Sequence, residues 1–523
     1  MNHKKLLLTL TLCLCALLCT VVTASASEVQ EHSHPVCGKT HTDIDDHTED
    51  KCSTPTWTKL YMDGDGKLCY GEGQQVTYDS AFDYYRLPAG TYYLGTDLTL
   101  NRGIQIDSNG GDVTLCLNGK MISCGTGAAI QVKGVNNKNI TFTLCDCEGS
   151  GVITHTGNDE NDKGGNGVDV ANSNNGGNNE VAKFIMYNGH ITKNKGSGVY
   201  LNDSTSFTMY GGRITQNGYN NTSLFGGYGG GVYVASEASF TMYGGNITGN
   251  YANKNGGGVH VGSETANFTM YGGSITGNAS KGDGGGIYFY SGTFAMYGGS
   301  VTGNSCNSSK NGGGVYISTD TTITLSGNVQ IKDNYKGSNS NKKPSNIYLA
   351  GNKTITADGS LTGSSIGVTT ATEPGTGSNV TFANGNANTI TTGIFTPDTA
   401  GVLVGVAADG TSAYLYKCSH VYEWAYDEEY HWKKCTNVGC DSVEAGSKKA
   451  HTWDYPADYN NPKTCVCGAT QGEPLTRSYY YYTPSAAEDK KDSPKTADPG
   501  VLLYAGLALA SLTGLACTAK KRH

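Results

Sequence analysis

Through the middle of the chain, apolar and polar positions alternate with a period of two. Phe240 and Met242 flank Thr241, and Val232 and Val234 flank Tyr233, so each short run reads as a strand with one buried face. The runs recur. FTMYGGRITQN starts at Phe207, FTMYGGNITGN at Phe240, FTMYGGSITGN at Phe268 and FAMYGGSVTGN at Phe294, with a weaker IMYNGHITKN at Ile185. Between them GGGVYV, GGGVHV, GGGIYF and GGGVYI start at Gly229, Gly256, Gly284 and Gly312, which are 27, 28 and 28 residues apart. A helical repeat would place apolar residues at i, i+3 and i+4 and carry few glycines; here GG or GGG marks the turns, where positive φ or close backbone approach is needed. The pattern therefore predicts a solenoid of strands. Each unit is one coil, and equivalent strands of successive coils stack in parallel and in register at about 4.8 Å, burying a core that no coil buries alone.

The register names the ladders. Phe207, Phe240, Phe268 and Phe294 are expected to stack inward beside Met209, Met242, Met270 and Met296, with Ile214, Ile247, Ile275 and Val301 on the next face. Asn217, Asn250, Asn278 and Asn304 close each ITGN-type turn and read as a structural hydrogen-bonded ladder. Cys116 and Cys145, 29 residues apart, occupy equivalent positions one coil apart, within the reach of a disulfide; buried free thiols are the alternative. Two rows of tyrosine are expected to point outward: Tyr210, Tyr243, Tyr271 and Tyr297, and Tyr200, Tyr233, Tyr288 and Tyr316 with His260 between them. Tyrosine combines a flat apolar face with a hydroxyl, which suits sugar rings or protein surfaces, and repetition multiplies weak contacts. The competing reading is that the rows only shield the strands.

Residues 85–405, with these Gly-rich coils, resemble the right-handed parallel β-helix proteins, the pectin-lyase-like group, and more closely the Gly-rich repeat proteins of bacterial surfaces. The resemblance implies an all-β fold of about eleven coils. It is much less specific for function, because unrelated activities share such scaffolds. Polysaccharide-cleaving β-helices use clustered carboxylates, or Ca²⁺ with a basic residue, in a groove that breaks the repeat. Here the acidic residues between Ser197 and Asn334 are Asp203, Glu237, Glu264, Asp283, Asp320 and Asp333, and Asp203, Glu237, Glu264 and Asp320 fall in the same turn of successive coils. One carboxylate per coil reads as a solvated edge, so no enzymatic activity is expected. The alternative, a polysaccharide lyase or glycoside hydrolase, would draw on the irregular stretch 149–165 with His155, Asp159, Glu160, Asp162 and Lys163.

Composition narrows the partners. Gly supplies 74 of 523 residues but Pro only 12, which excludes collagen; charged residues are 16%, and 37 Lys+Arg against 45 Asp+Glu leave a net charge of −8. No basic patch suited to nucleic acid is visible.

Both ends read as addresses. Residues 1–26 form a signal peptide, with Lys4 and Lys5, an apolar run from Leu6, and Ala24-Ser25-Ala26 before the expected cleavage site. At the other end, SPKTAD (Ser493 to Asp498) precedes an apolar run at 501–517 and the basic tail Lys520-Lys521-Arg522. This order resembles the cell-wall sorting signal of Gram-positive surface proteins, which implies sortase cleavage after Thr496. Pro494 and Thr496 keep the family's LPxTG spacing, whereas Ser493 and Ala497 depart from it; a plain membrane anchor through 501–517 is the alternative. Either route places the body of the protein on the extracellular surface, with residues 476–492 as a stalk.

Two Cys/His-rich segments flank the coils. Residues 406–475 carry Cys418, His420, His431, Cys435, Cys440, His451, Cys465 and Cys467, with Trp424, Trp432 and Trp453 as a small core. Cys435 and Cys440 paired with Cys465 and Cys467 resemble the ligands of a zinc ribbon, with knuckle spacings that depart from CxxC; since the protein is expected to be exported, disulfides compete equally with zinc within 418–467. Residues 27–84 hold His32, His34, Cys37, His41, His47 and Cys52, a second candidate metal segment, and Asp63-Gly64-Asp65-Gly66, which reads as a turn rather than a Ca²⁺ loop. The sum is a surface-anchored, structural or adhesive protein whose partners are sortase, the cell wall and a glycan or host-surface ligand.

Overall fold

The computed structural model describes residues 57–473 apart from 136–137, 156–164, 173–181, 219–226, 438–439, 441 and 454–460, together with the paired strands His32–His34 and Lys39–His41. The signal sequence, the stalk, the sorting signal with Pro494, Thr496 and Ala497, the run at 501–517, and Asp159 and Asp162 lie outside these residues. Among the described residues no helix is long and apolar enough to cross a membrane. The chain divides into two compact units, Met1–Glu423 with Lys433–Ala445, and Trp424–Trp432 with Gly446–His523.

In the first unit nearly every element is a short strand that pairs in parallel with the strand one coil later. Val232–Val234 lies on Val259–Val261 with Tyr233 against His260, Ser239–Met242 on Asn267–Met270 with Phe240 against Phe268, and Asn246–Thr248 on Ser274–Thr276 with Ile247 against Ile275. Each coil therefore feeds three faces of one continuous sheet. A fourth, shorter ladder runs through Tyr251–Ala252, Ala279–Ser280 and Ser305–Cys306. Antiparallel strands finish both ends. Thr58–Met62 pairs with Leu68–Tyr70 near the first coils, and Ser412–Lys417 pairs with both Val402–Val406 and Val380–Gly385 near the last. Such irregular ends blunt the open edges of a parallel stack.

Inside, one side chain in two is buried, as the alternation requires. Phe142, Phe184, Phe207, Phe240, Phe268 and Phe294 form one stack with ring centroids 5.4, 4.7, 4.9, 4.7 and 5.7 Å apart, two coils longer than the four-residue repeat shows. Met209, Met242, Met270 and Met296 and the Ile214 row are fully buried beside it.

The GGG signature answers two separate steric demands. Gly256 has φ +72°, in the left-handed region, whereas a Cβ on Gly257 would stand 2.4 Å from the carbonyl oxygens of Ala279 and Gly285. At the far side of each coil the asparagines are buried and linked. Asn194, Asn217, Asn250, Asn278, Asn304, Asn334 and Asn346 each donate a side-chain N–H to the side chain one step on, at 2.6–3.1 Å, and the chain of bonds ends on the Asp398 carboxylate.

Cys116 and Cys145 pair across adjacent strands as expected, and neither is bridged. They pack with Trp57 and Cys147; Cys147 is disulfide-bonded.

Candidate metal centres and the tyrosine ladders

The first tyrosine row follows the FTM strands, where the backbone turns through Gly-Gly. Tyr187, Tyr210, Tyr243, Tyr271 and Tyr297 stack with centroids 4.9, 5.0, 4.9 and 5.2 Å apart. Tyr210, Tyr243 and Tyr271 are each 46% exposed and Tyr297 37%. The rings lie within 6–18° of parallel. Each ring face is therefore covered by the next coil's ring, and what meets solvent is a comb of ring edges and hydroxyls. The row is outward, as expected, but its flat faces are spent on one another.

The second row, Tyr200, Tyr233, His260, Tyr288, Tyr316 and Tyr348, stacks at 4.7–5.3 Å but is half-buried, with His260 fully so. Tyr228 leans on His260 at 4.7 Å. Burial dominates its chemistry: it pushes Tyr288 up to about 12 and His260 down to about 3, the latter against a hydrogen bond with the Asn255 backbone. In the register of this row Asp169 stands against Tyr200. Burial lifts Asp169 to about 7, although Asn202 donates to it at 2.8 Å and Lys133 lies near. Asp169, Tyr187 and Tyr348 were all missed in the sequence. Tyr187 sits in the same slot of the weaker IMYNGH repeat and Tyr348 in an IYL strand, whereas nothing in the local sequence marks Asp169.

Asp203, Glu237, Glu264 and Asp320 are exposed, as a solvated edge requires. The Asp63 carboxylate accepts from the backbone of Asp65 and Lys67 at 3.0 and 2.8 Å, which closes a turn. An open groove of about 520 Å³, lined by Tyr78, Tyr85, Asn101, Arg102, Gly125 and Thr126, has one charged group, Arg102, held in an ion pair with Asp83.

The cysteines and histidines of 418–467 form two tetrads, in each of which all four ligand atoms lie within 4.8 Å of one another. Cys418, His420, Cys435 and Cys440 make the first, in the first unit. Sγ of Cys418 is 3.5 Å from Sγ of Cys435, and Nδ1 of His420 is 3.3 Å from Sγ of Cys440. The Asn437 side chain donates to Sγ of Cys418 at 3.0 Å. His431, His451, Cys465 and Cys467 make the second, in the second unit, with Nδ1 of His431 3.2 Å from Sγ of Cys465 and Nδ1 of His451 3.5 Å from Sγ of Cys467. Each set could hold a metal ion. The pairs Cys435/Cys440 and Cys465/Cys467, expected at one ribbon site, are thus divided between two. The four partners that complete the tetrads, Cys418, His420, His431 and His451, are visible in the sequence only as members of a Cys/His-rich segment.

Local structure prepares both sets. The strand Tyr430–Cys435 supplies His431 to one and Cys435 to the other. The Cys440 amide donates to the Asn437 carbonyl at 3.0 Å and the Gly468 amide to the Cys465 carbonyl at 2.8 Å, closing tight turns around the sulfurs. Amides two residues on point back at the sulfurs, Asn437 at Cys435, Ser442 at Cys440, Cys467 at Cys465 and Ala469 at Cys467. Burial works to raise Cys435 and Cys465, but these amides, the neighbouring histidines and the adjacent thiols together bring each down to about 6. Nε2 of His451 lies 2.9 Å from the Asp427 carbonyl. Only an N–H can serve that bond, so the Nδ1 lone pair is left facing the sulfurs.

No family model matches the chain, and no curated protein or solved structure matches it.

Proposed function

We propose that this is a surface-anchored structural or adhesive protein of a Gram-positive bacterium. In this reading residues 85–405 form a right-handed parallel β-helix of about eleven coils that presents a repetitive face to a glycan or protein partner. The observation that carries it is the exposed row Tyr210, Tyr243, Tyr271 and Tyr297, continued by the half-buried Tyr187, an uninterrupted comb whose rings repeat with centroids 4.9–5.2 Å apart and present their hydroxyl edges. A polymer whose own groups repeat at a similar interval, such as an extended β-linked glycan, can meet several rungs at once, so that weak contacts sum. The signal sequence, the SPKTAD motif and the apolar run with its basic tail support export and attachment, by sortase to the wall or by the run itself to the membrane. The Cys/His sets of 418–467 are read as zinc sites that hold the module between coils and stalk.

A second reading, a polysaccharide lyase or glycoside hydrolase, draws on Asp169, a carboxyl lifted to about 7 beside Lys133, since a group poised near neutrality can serve as general acid or base. The same experiment tests both: the purified secreted protein is applied to a glycan array and incubated with polysaccharides, and binding and released products are measured together. Saturable binding without products supports the adhesive reading. Released oligosaccharides that disappear in Asp169→Asn overturn it.

A further inference from the structure

The two tetrads differ in composition, and the difference separates metal from disulfide. The first brings together three sulfurs and one imidazole nitrogen. A disulfide there would join two sulfurs at about 2.0 Å and strand the third beside His420; Cys418 and Cys435 instead stand 3.5 Å apart, and none of the three is bridged. In the second, Cys465 and Cys467 are held within one tight turn, and each sulfur faces the Nδ1 of a different histidine, at 3.2 and 3.5 Å. Ligands about 2.3 Å (sulfur) and 2.0 Å (nitrogen) from a tetrahedral zinc are about 3.5–3.8 Å from one another. The observed separations, 3.2–3.5 Å, reach the lower edge of that range or fall up to about 0.3 Å short of it, and all are far from a covalent bond. The outer contacts also suit bound thiolates and imidazole. Asn437 donates to Cys418, and the Asp427 carbonyl fixes the tautomer of His451.

We propose that residues 418–467 hold two zinc ions in separate sites, one of three thiolates and one imidazole (Cys418, His420, Cys435, Cys440), the other of two thiolates and two imidazoles (His431, His451, Cys465, Cys467). This rests on the zinc reading above and goes beyond it in number, ligands and independence. Each set is complete within one compact unit, so each loads without the other. The sites also differ in charge: a divalent ion with three thiolates carries a net −1, with two thiolates none.

The test uses the full-length protein purified without a metal-chelating tag, its zinc counted by elemental analysis. Two zinc ions per chain are expected, falling to one in Cys435→Ser and to one in Cys467→Ser. Replacement of zinc by Co²⁺ adds a readout of ligand type, because thiolate-to-cobalt charge-transfer absorption scales with the number of sulfurs. Cys435→Ser should keep the two-thiolate signal and Cys467→Ser the three-thiolate signal, near a 2:3 ratio. In the unmutated protein, alkylation followed by mass spectrometry gives a measure that no folding defect can confound: Cys418, Cys435, Cys440, Cys465 and Cys467 should be protected until a chelator is added. One zinc per chain, lost entirely in either variant, would overturn the two-site proposal and leave a single shared ribbon. Metal-free protein with these cysteines oxidised would instead overturn the zinc reading itself.

Discussion

Replacing Asn278 by Ala isolates what the asparagine ladder contributes. The Asn278 side-chain N–H groups donate to Asn304 Oδ1 and to the Ile247 carbonyl, both at 2.9 Å, while its Oδ1 accepts from the backbone and side-chain N–H groups of Asn250 at 2.9 and 3.0 Å. Alanine removes all four bonds. Asn304 Oδ1 keeps the Asn278 backbone N–H, and the Asn250 side chain keeps the Ile214 carbonyl. The Asn250 backbone N–H, however, loses its acceptor in a site where asparagine is 1% exposed. One orphaned buried donor costs about 1–3 kcal/mol and the three other lost bonds about 1 kcal/mol each, so the expected loss is roughly 4–6 kcal/mol. Urea denaturation should show a lower midpoint with an unchanged slope.

Asn278→Asp sharpens the test. It keeps the acceptor for Asn250 but sets a carboxylate against two oxygens, so its stability should fall as pH rises through its titration, whereas the alanine variant shows no such dependence. Asn307→Ala, on the exposed side of a neighbouring turn, is the control and should cost almost nothing. A loss under about 1 kcal/mol in Asn278→Ala, or an aspartate variant as stable as the parent at pH 8, would refute a cooperative ladder and reduce these residues to turn formers.

The remaining expectations concern the core, the turns and the buried carboxyl. Phe268→Ala opens a void between rings 4.7 and 5.7 Å away and should cost about 3–5 kcal/mol by calorimetry. Gly257→Ala drives a methyl to within 2.4 Å of two backbone carbonyls, so the coil must shift, and limited proteolysis should cut near it at a protease level the parent resists. Asp169, raised from 3.8 to about 7, binds its proton more tightly folded than unfolded. The parent should therefore lose stability as pH rises from about 4 to about 7, whereas Asp169→Asn should lack that loss and melt above the parent at pH 8.

The fold was legible because a strand has a strict period of two and a coil a nearly constant length. Once Phe240 faces inward, Thr241 must face out, and the 28-residue step to Phe268 carries the assignment to the next coil. Tyr187 and Tyr348 escaped because the repeat decays at its ends while the strand register does not. Asp169 escaped for a different reason: it occupies the slot of Tyr200, and its burial follows from the surrounding coils rather than from its neighbours in sequence. The candidate metal ligands were visible as residue types but not as sets. In a small antiparallel module the partners are chosen by hairpin pairing, here His431 beside Lys449 and Thr464 beside Thr470, and no sequence interval encodes that choice.

Stacking also decides how the exposed tyrosines can act. Rings about 5 Å apart and nearly parallel leave no gap for a sugar ring to slide between, so recognition by flat-face stacking is confined to the end of the row. What remains along its length is the hydroxyl comb, and substitution by phenylalanine separates the two roles that sequence left open. Tyr210→Phe, Tyr243→Phe and Tyr271→Phe together preserve the ring stack and its shielding of the strands but erase three donors. If the row only shields, both melting temperature and ligand binding stay as in the parent. If the row binds through its edges, stability is unchanged while affinity falls by about 3 kcal/mol, roughly a hundredfold, at about 1 kcal/mol per hydrogen bond. Unaltered binding in this triple variant, measured on whichever glycan the array selects, would remove the tyrosine comb from the binding surface.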